Sequence, residues 1–256
     1  MLGSRPIFVR PMPELLSAAF LIAAAAAFVG GMVRGFAGFG AALLMTPVFS
    51  TLYGPAFGVA LCLLMELAVV VPLLPESVVH ADWRRIGLLV LAAAIGAPFG
   101  NLALTWLPAD PMRWVISAIV VSAVVILSTG WRYHGKPLAV ATASAGAASG
   151  FLNGLSGMAG PPIIFYYMAG SDPAAQVRAN LTTYFVFVDL IAVAVFAARS
   201  LIGWDTVVHG ICLAPFVILG GMVGQRLFPL ASERFYRRLA LVLLTAVAVG
   251  VLVARP

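Results

Sequence analysis

Charged residues are scarce in this chain. Only 9% of its 256 residues are Asp, Glu, Lys or Arg, whereas a soluble domain usually carries about 25%. Hydrophobic residues make up 62% of the sequence, and the mean hydropathy is +1.07. The composition excludes an ordinary soluble domain and indicates a protein of the lipid bilayer.

Cysteine and histidine are also rare, with two and three residues respectively. Cys62 and Cys212 lie far apart inside apolar segments, and no C-x-x-C or His-rich pattern occurs. His80 and His134 fall in connections, while His209 has no partner at metal-ligand spacing. We therefore expect no metal and no cofactor. No Ser/His/Asp or paired-carboxylate constellation can be placed on one face, which argues against an intramembrane enzyme.

A nucleotide-binding motif of the form G-x-x-x-x-G-K-[ST] is absent. Energy for any transport must therefore come from a gradient or a partner subunit. The net charge of +6 does not indicate nucleic-acid binding, because most basic residues, including Arg84, Arg85 and Arg178, lie in short connections between apolar runs. Basic residues at such positions set membrane topology.

Long apolar runs dominate the rest of the chain and predict an all-α polytopic membrane protein. The predicted segments are 14–33, 39–52, 56–75, 86–107, 114–131, 138–153, 158–169, 179–200, 205–228 and 238–254. Segments 39–52 and 158–169 are too short to span a bilayer at 1.5 Å per residue. They are predicted to be half-helices or re-entrant pieces.

Three stretches of the first half recur in the second half in the same order. They pair GFAGFGA (35–41) with GLSGMAG (154–160), PAFGVAL (55–61) with PAAQVRA (173–179), and GAPFGN (96–101) with GGMVGQ (220–225), at offsets of 119, 118 and 124 residues. The nearly constant offset indicates an internal duplication.

About five segments per half is an odd number, so the second copy must enter the membrane from the opposite side. The sequence therefore predicts two inverted repeats, 1–133 and 134–256, which together form one transmembrane domain. Inverted repeats of this kind are typical of secondary transporters.

The glycine-rich stretches break the helices in both halves. Glycine lets the backbone turn where a side chain would block it, and a helix that restarts after a break directs its N-terminal amides at an anion. The backbone amides predicted to bind substrate belong to Gly38, Phe39, Gly40, Ala41, Gly157, Met158 and Gly160. The alternative is that these glycines serve close helix packing, which is the favoured reading for GAPFG and GGMVG.

Polar side chains accompany the breaks. Arg34 precedes the first break and either faces the anion or extends to an interface. Asn153 and Ser156 add donors at the second break. Asn101 and Gln225 follow the packing glycines at matching places and either face one cavity or bond to a neighbouring helix.

Two acidic residues lie inside apolar segments. Glu66 stands in LCLLMELAVV and Asp189 in YFVFVDLIAV. An intramembrane carboxyl group is a candidate for ion coupling by default. A structural pair with a buried arginine or with backbone is the alternative.

The duplicated stretches GFAGFGAALLMTP and GFLNGLSGMAGPP resemble the TauE/SafE family of membrane proteins, and the repeat layout extends this resemblance over nearly the whole chain. Family members are regarded as sulfite or organosulfonate exporters. The resemblance implies a small sulfur-containing anion as substrate. The chain departs from the family's usual glycine triplet, because it has GFGAA and GMAGPP at these places.

The sequence thus predicts a non-enzymatic secondary transporter, and an exporter by resemblance, which moves sulfite, sulfoacetate or another organosulfonate by alternating access. An anion channel, a carrier of another small carboxylate or oxyanion, and a structural membrane subunit remain open. The expected location is the inner or plasma membrane, crossed several times. The expected partners are the anion and the bilayer, with no nucleic acid; a homodimer and a monomer are both open.

Overall fold

The computed structural model describes residues 17–108, 111, 114, 118, 122, 139–168 and 172–227. The predicted segment 238–254 lies outside these residues. Of the segment 114–131, only Trp114, Ala118 and Ser122 are described, and all three are helical.

All regular structure in the described ranges is helical, which confirms the predicted all-α class. The helices are α1 (Ala18–Ala37), α2 (Ala41–Tyr53), α3 (Pro55–Val70), α4 (Leu74–Val79), α5 (Trp83–Trp106), α6 (Ala139–Ser156), α7 (Gly160–Met168), α8 (Ala174–Ala198) and α9 (Trp204–Leu227). The short helix α4 was not predicted as a separate element. It follows Pro72, which lacks the N–H that continuation of α3 requires.

In the described part of the chain, four helices are long and apolar enough to cross a membrane, namely α1, α5, α8 from Gln176 onward, and α9. In contrast, α2 has 13 residues and α7 has 9. At 1.5 Å per residue these two helices extend only about 20 Å and about 14 Å, against a hydrocarbon thickness of about 30 Å. The prediction of two short helices after the glycine-rich breaks is confirmed, while their re-entrant course stays a prediction.

Helix α1 packs closely against α9 through glycines on both helices. A Cβ added to Gly35 would lie 2.0 Å from the carbonyl oxygen of Gly221, and one added to Gly224 would lie 2.0 Å from that of Met32. Backbones this close leave no room for a side chain, as in small-xxx-small contacts. The packing role expected for GGMVG is confirmed.

Helices α5 and α6 make the same kind of contact. A Cβ on Gly100 would lie 1.9 Å from the Phe151 carbonyl oxygen, and one on Gly154 would lie 2.1 Å from that of Ala97. The packing role expected for GAPFG is confirmed as well. Gly35 and Gly154, the first glycine of each break, therefore serve helix packing rather than the break itself.

The two glycine-packed pairs cross the boundary between the predicted repeats. Helix α1, the first of one half, packs on α9 of the other half, and α6, the first of the second half, packs on α5. The two halves are therefore interlocked. Their inverted relation and the division at residue 133 stay predictions.

Helix α3 occupies the centre and contacts α1, α2, α5, α6, α8 and α9. Its residues Val59 to Leu63 are fully buried. A helix that is apolar on every side suits such a buried position. Glu66 of α3 is buried beside the first break, and Val59 and Cys62 of the same helix lie near Gly157 of the second break.

We predict that Gly100→Ala destabilises the protein, because the new methyl group would overlap the Phe151 carbonyl oxygen. Overpacking of this kind costs about 1–3 kcal/mol. Gly87→Ala on the same helix is the control: an added Cβ there meets nothing within 4 Å, and alanine is the better helix former. Thermal unfolding in detergent checks both, and equal melting temperatures would contradict the packing role.

Candidate functional site

The first break separates α1 from α2. Gly38 ends α1 with φ 77°, and its N–H donates to the Arg34 carbonyl oxygen at 2.7 Å. Gly40, with φ 97°, precedes Ala41 at the start of α2. Positive φ values are accessible to glycine without the strain that a Cβ would cause. These two glycines, rather than Gly35, create the break.

The second break repeats this geometry between α6 and α7. Gly157 has φ 71°, and its N–H donates to the Asn153 carbonyl oxygen at 2.8 Å. Arg34 and Asn153 therefore hold equivalent places, each four residues before the glycine with positive φ. Helix α7 begins at Gly160 with two prolines, so its first turn offers fewer amide donors than the first turn of α2.

Arg34 is buried at the first break, with 1% of its surface exposed. Its Nε lies 3.6 Å from Oε2 of Glu66, and its guanidinium carbon lies 4.2 Å from the ring centroid of Phe185. Nε and Nη2 have no hydrogen-bond partner among the described residues. The interpretation that Arg34 extends to an interface is wrong, because its side chain stays in the interior.

The carboxylate of Glu66 lies at the N-terminus of α2, where it accepts a hydrogen bond from the Ala42 N–H. A negative group is favourable there because the helix dipole and free amides point toward it. Glu66 therefore contacts both Arg34 of α1 and the first turn of α2. The half-helix end that was predicted to attract an anion holds an anionic group of the chain itself.

Asn153 contacts the second acidic residue. Its Nδ2 donates to Oδ1 of Asp189 at 3.0 Å and to the Val188 carbonyl oxygen at 3.2 Å, while its Oδ1 has no partner in the described structure. Each break thus has a polar side chain in contact with a buried carboxyl group from a central helix. These contacts agree with the second interpretation of Glu66 and Asp189, in which each carboxyl group has a structural partner. Ion coupling through them stays a prediction.

A hydroxyl chain holds the second break in place. Tyr184 donates to Ser149 at 2.8 Å, and Ser149 donates to the Ala159 carbonyl oxygen at 2.6 Å. The Ser156 hydroxyl donates to the Leu152 carbonyl oxygen of its own helix at 2.8 Å. The Ser156 proton is therefore engaged within α6, and its role in substrate binding stays a prediction.

Asn101 and Gln225 lie in different surroundings. Asn101 is fully buried, and neither polar atom of its amide has a partner in the described part of the chain. Gln225 is partly exposed and donates to Oε2 of Glu76 in α4 at 3.3 Å. Their contacts do not join them in one cavity, and their substrate-binding roles stay predictions.

Arg178 was assigned to topology, yet it lies at the first break. Its Nη2 donates to the Gly35 carbonyl oxygen at 2.9 Å, and its Cγ would lie 3.0 Å from a Cβ on Gly38. The sequence feature that could have singled out Arg178 is its place in the repeated stretch PAAQVRA. Arg85, from the same group, instead pairs with Asp82 and Asp172 at a helix start.

These features indicate an α-helical membrane protein with a buried guanidinium at a helix break. Its Nε and Nη2 have no hydrogen-bond partner in the part of the chain that the structure describes, an arrangement suited to a small anion. Within the described residues no cluster of His, Cys, Asp and Glu is arranged to hold a metal ion. The class is that of α-helical membrane proteins.

A family model described as "Sulfite exporter TauE/SafE" matches residues 23–251, and the chain belongs to this family. A relative from Cupriavidus necator, named "Probable sulfite/organosulfonate exporter TauE", is 28% identical over 216 residues, covering 79% of this chain and 82% of the relative. No solved structure matches the chain. The resemblance inferred from the two glycine-rich stretches is confirmed.

We predict that Gly157→Ala destabilises the protein while Gly160→Ala does not. At Gly157 an added Cβ has ordinary contacts, the nearest 3.6 Å away at Thr46, but φ is positive; that conformation costs a non-glycine residue about 1–2 kcal/mol. At Gly160 the nearest atom is 3.5 Å away and no positive φ occurs. Melting temperatures in detergent check the pair, and an unchanged value for Gly157→Ala would contradict the role of the turn.

Proposed function

We propose that this protein is a secondary transporter that exports a small sulfur oxyanion, such as sulfite, sulfoacetate or another organosulfonate, across the cell membrane. Membership of the sulfite exporter family supports the transport of such anions. The observation that carries the proposed site is Arg34, a buried guanidinium beside a broken helix whose Nε and Nη2 have no hydrogen-bond partner among the described residues.

The chemistry of Arg34 suits a sulfonate group. A guanidinium presents planar N–H donors that match the spacing of oxyanion oxygens, and it stays charged in apolar surroundings. The amides at the start of α2 face the same carboxylate that Arg34 contacts. An anion that enters here meets both the cation and the helix N-terminus.

Alternating access fits the way the helices pair. The pairs α1–α9 and α5–α6 are each held by close glycine contacts, so each pair is suited to move as a unit. The breaks at Gly38 and Gly157 lie at the ends of α1 and α6, one in each pair. We infer that motion of one pair against the other opens the site to alternate sides of a membrane crossed several times by the chain.

The proposal is tested with purified protein in liposomes. Unlabelled sulfoacetate inside should accelerate the uptake of labelled sulfoacetate from outside, because a carrier exchanges one anion for another. Ion conductance far above carrier turnover would instead indicate an anion channel. In detergent, sulfite and sulfonates should raise the melting temperature, since a ligand that binds the folded state stabilises it; stabilisation by carboxylates alone would overturn the sulfur-anion assignment.

We predict that the double variant Arg34→Gln/Glu66→Gln loses sulfonate binding. The paired substitution removes both charges together, because removal of Arg34 alone would strand a buried carboxylate at high cost. Loss of charge-assisted hydrogen bonds worth about 1.5–3 kcal/mol weakens binding about tenfold or more. Thermal-shift titration with sulfoacetate measures the change.

Two controls accompany this variant. Glu66→Gln alone keeps the guanidinium and should still bind the anion. Arg84→Gln removes an exposed positive charge at the start of α5 and should bind as the unaltered protein does. Undiminished binding by the double variant, with its fold intact, would remove Arg34 from the site.

A further inference from the structure

The buried centre of the protein contains more acid than base. Arg34 from α1, Glu66 from α3 and Asp189 from α8 are exposed by only 1%, 4% and 2% respectively. Among the described residues, it is the charge of Arg34 that acts on both carboxyl groups. Arg34 contacts Glu66 directly, whereas Asp189 contacts Asn153.

Within the described helices, the other ionisable groups that interact with Glu66 and Asp189 are not basic. Near Glu66 and Asp189 they are the Cys62 thiol on α3 and the Tyr184 hydroxyl on α8, which bonds to Ser149. His209 of α9 contacts the rings of Tyr53 and Phe57, and its Nδ1 lies 2.8 Å from the Asp205 carbonyl oxygen. Helices α2, α5 and α6 carry no Asp, Glu, Lys, Arg or His beyond Arg84 and Arg85 at the start of α5.

In the part of the chain that the structure describes, Arg178 is a second cation near the first break. It is partly exposed and donates to the Gly35 carbonyl oxygen. On α8 it precedes Asp189 by eleven residues, or about 16 Å along the helix axis. Across the described ranges, the buried charges are therefore those of Arg34, Glu66 and Asp189.

A buried charge without a counter-charge is strongly disfavoured. With Arg34 charged, the empty centre is neutral when one of the two carboxyl groups holds a proton. A monovalent anion bound at Arg34 adds a second negative charge, so neutrality then requires a second proton.

Building on the proposed transport of an anion at Arg34, we propose that Glu66 is a proton-binding site and that one proton enters and leaves with each monovalent sulfonate anion. Glu66 is the acid concerned because its partners, Arg34 and the Ala42 amide, are the donors that an incoming anion competes for. Asp189 keeps its own partner, Asn153.

Charge balances at each step of this cycle. The anion binds Arg34 while a proton from water binds the Glu66 carboxylate, so the centre stays neutral. On the other side the anion leaves and the proton returns to water. Glu66 then contacts Arg34 again, and this neutral pair allows the empty carrier to reorient across the bilayer.

The test uses methanesulfonate, which stays ionised across the working pH range, whereas sulfite itself takes up a proton near neutrality. Titration calorimetry in two buffers of different ionisation enthalpy counts the protons taken up with the anion. We expect about one proton per methanesulfonate and an affinity that falls by up to about tenfold per pH unit above the protonation range of Glu66. In liposomes, methanesulfonate flux should carry protons that a trapped pH dye reports.

In the proposed cycle Asp189 keeps its proton beside Asn153 throughout. Glu66→Gln, which mimics the protonated acid at the other position, should therefore bind methanesulfonate with little proton uptake and little pH dependence. Asp189→Asn should keep the pH dependence, because Glu66 remains. Glu76→Gln is the matched control, since Glu76 lies exposed on α4 against Gln225, and it should behave as the unaltered protein does.

The possible outcomes separate the two proposals. Binding of methanesulfonate without proton uptake by the unaltered protein would overturn the proton site and leave anion transport standing. Absence of binding by any sulfur oxyanion at every pH would overturn the proposed function and this inference with it. If Glu66→Gln does not fold, the proton count of the unaltered protein still decides.

Discussion

The contact between the Arg34 guanidinium and the Glu66 carboxylate, 3.6 Å apart in the interior, is the constraint around which the centre is arranged. A buried charge is tolerated only with a counter-charge or hydrogen bonds nearby. Arg34 belongs to α1, Glu66 to α3, the amide that Glu66 accepts from belongs to α2, and the Phe185 ring under the guanidinium belongs to α8. The contacts of Arg34 and Glu66 therefore fix the relative positions of four helices.

Glycine has two separate roles in the same short stretches. Gly35 and Gly154 allow α1 and α6 to approach α9 and α5 within backbone contact. Gly38 and Gly157, three residues later in each copy, adopt positive φ and end the helices. Because both roles fall within a few residues, the close helix packing also positions the break. Under the proposed mechanism, a movement of either helix pair therefore moves the break that lies at the end of its helix.

The two breaks share a backbone geometry but differ in chemistry. The first has a guanidinium beside Glu66 and a full set of amides at the start of α2. The second has the carboxamide of Asn153 beside Asp189, and prolines replace amide donors at the start of α7. The two breaks therefore share a glycine with positive φ but present different side chains, a guanidinium beside a carboxyl group at the first and a carboxamide beside a carboxyl group at the second. Under the proposal the anion and the coupled proton both bind at the first break, while Asp189 keeps its contact with Asn153 at the second.

Local physics made much of this protein predictable from its sequence. Apolar runs determine the helices, their lengths separate the long helices from α2 and α7, and glycine at a break follows from its access to positive φ. Arg34, Glu66, Asn153 and Asp189 could be singled out because polar groups in apolar segments require partners. Which partners they have was decided only by the tertiary structure. Four contacts depend on how helices distant in sequence pack: Arg34 with Glu66, Asn153 with Asp189, Arg178 with Gly35 across 143 residues, and Gln225 with Glu76. Hydropathy and residue spacing along one chain do not determine that packing.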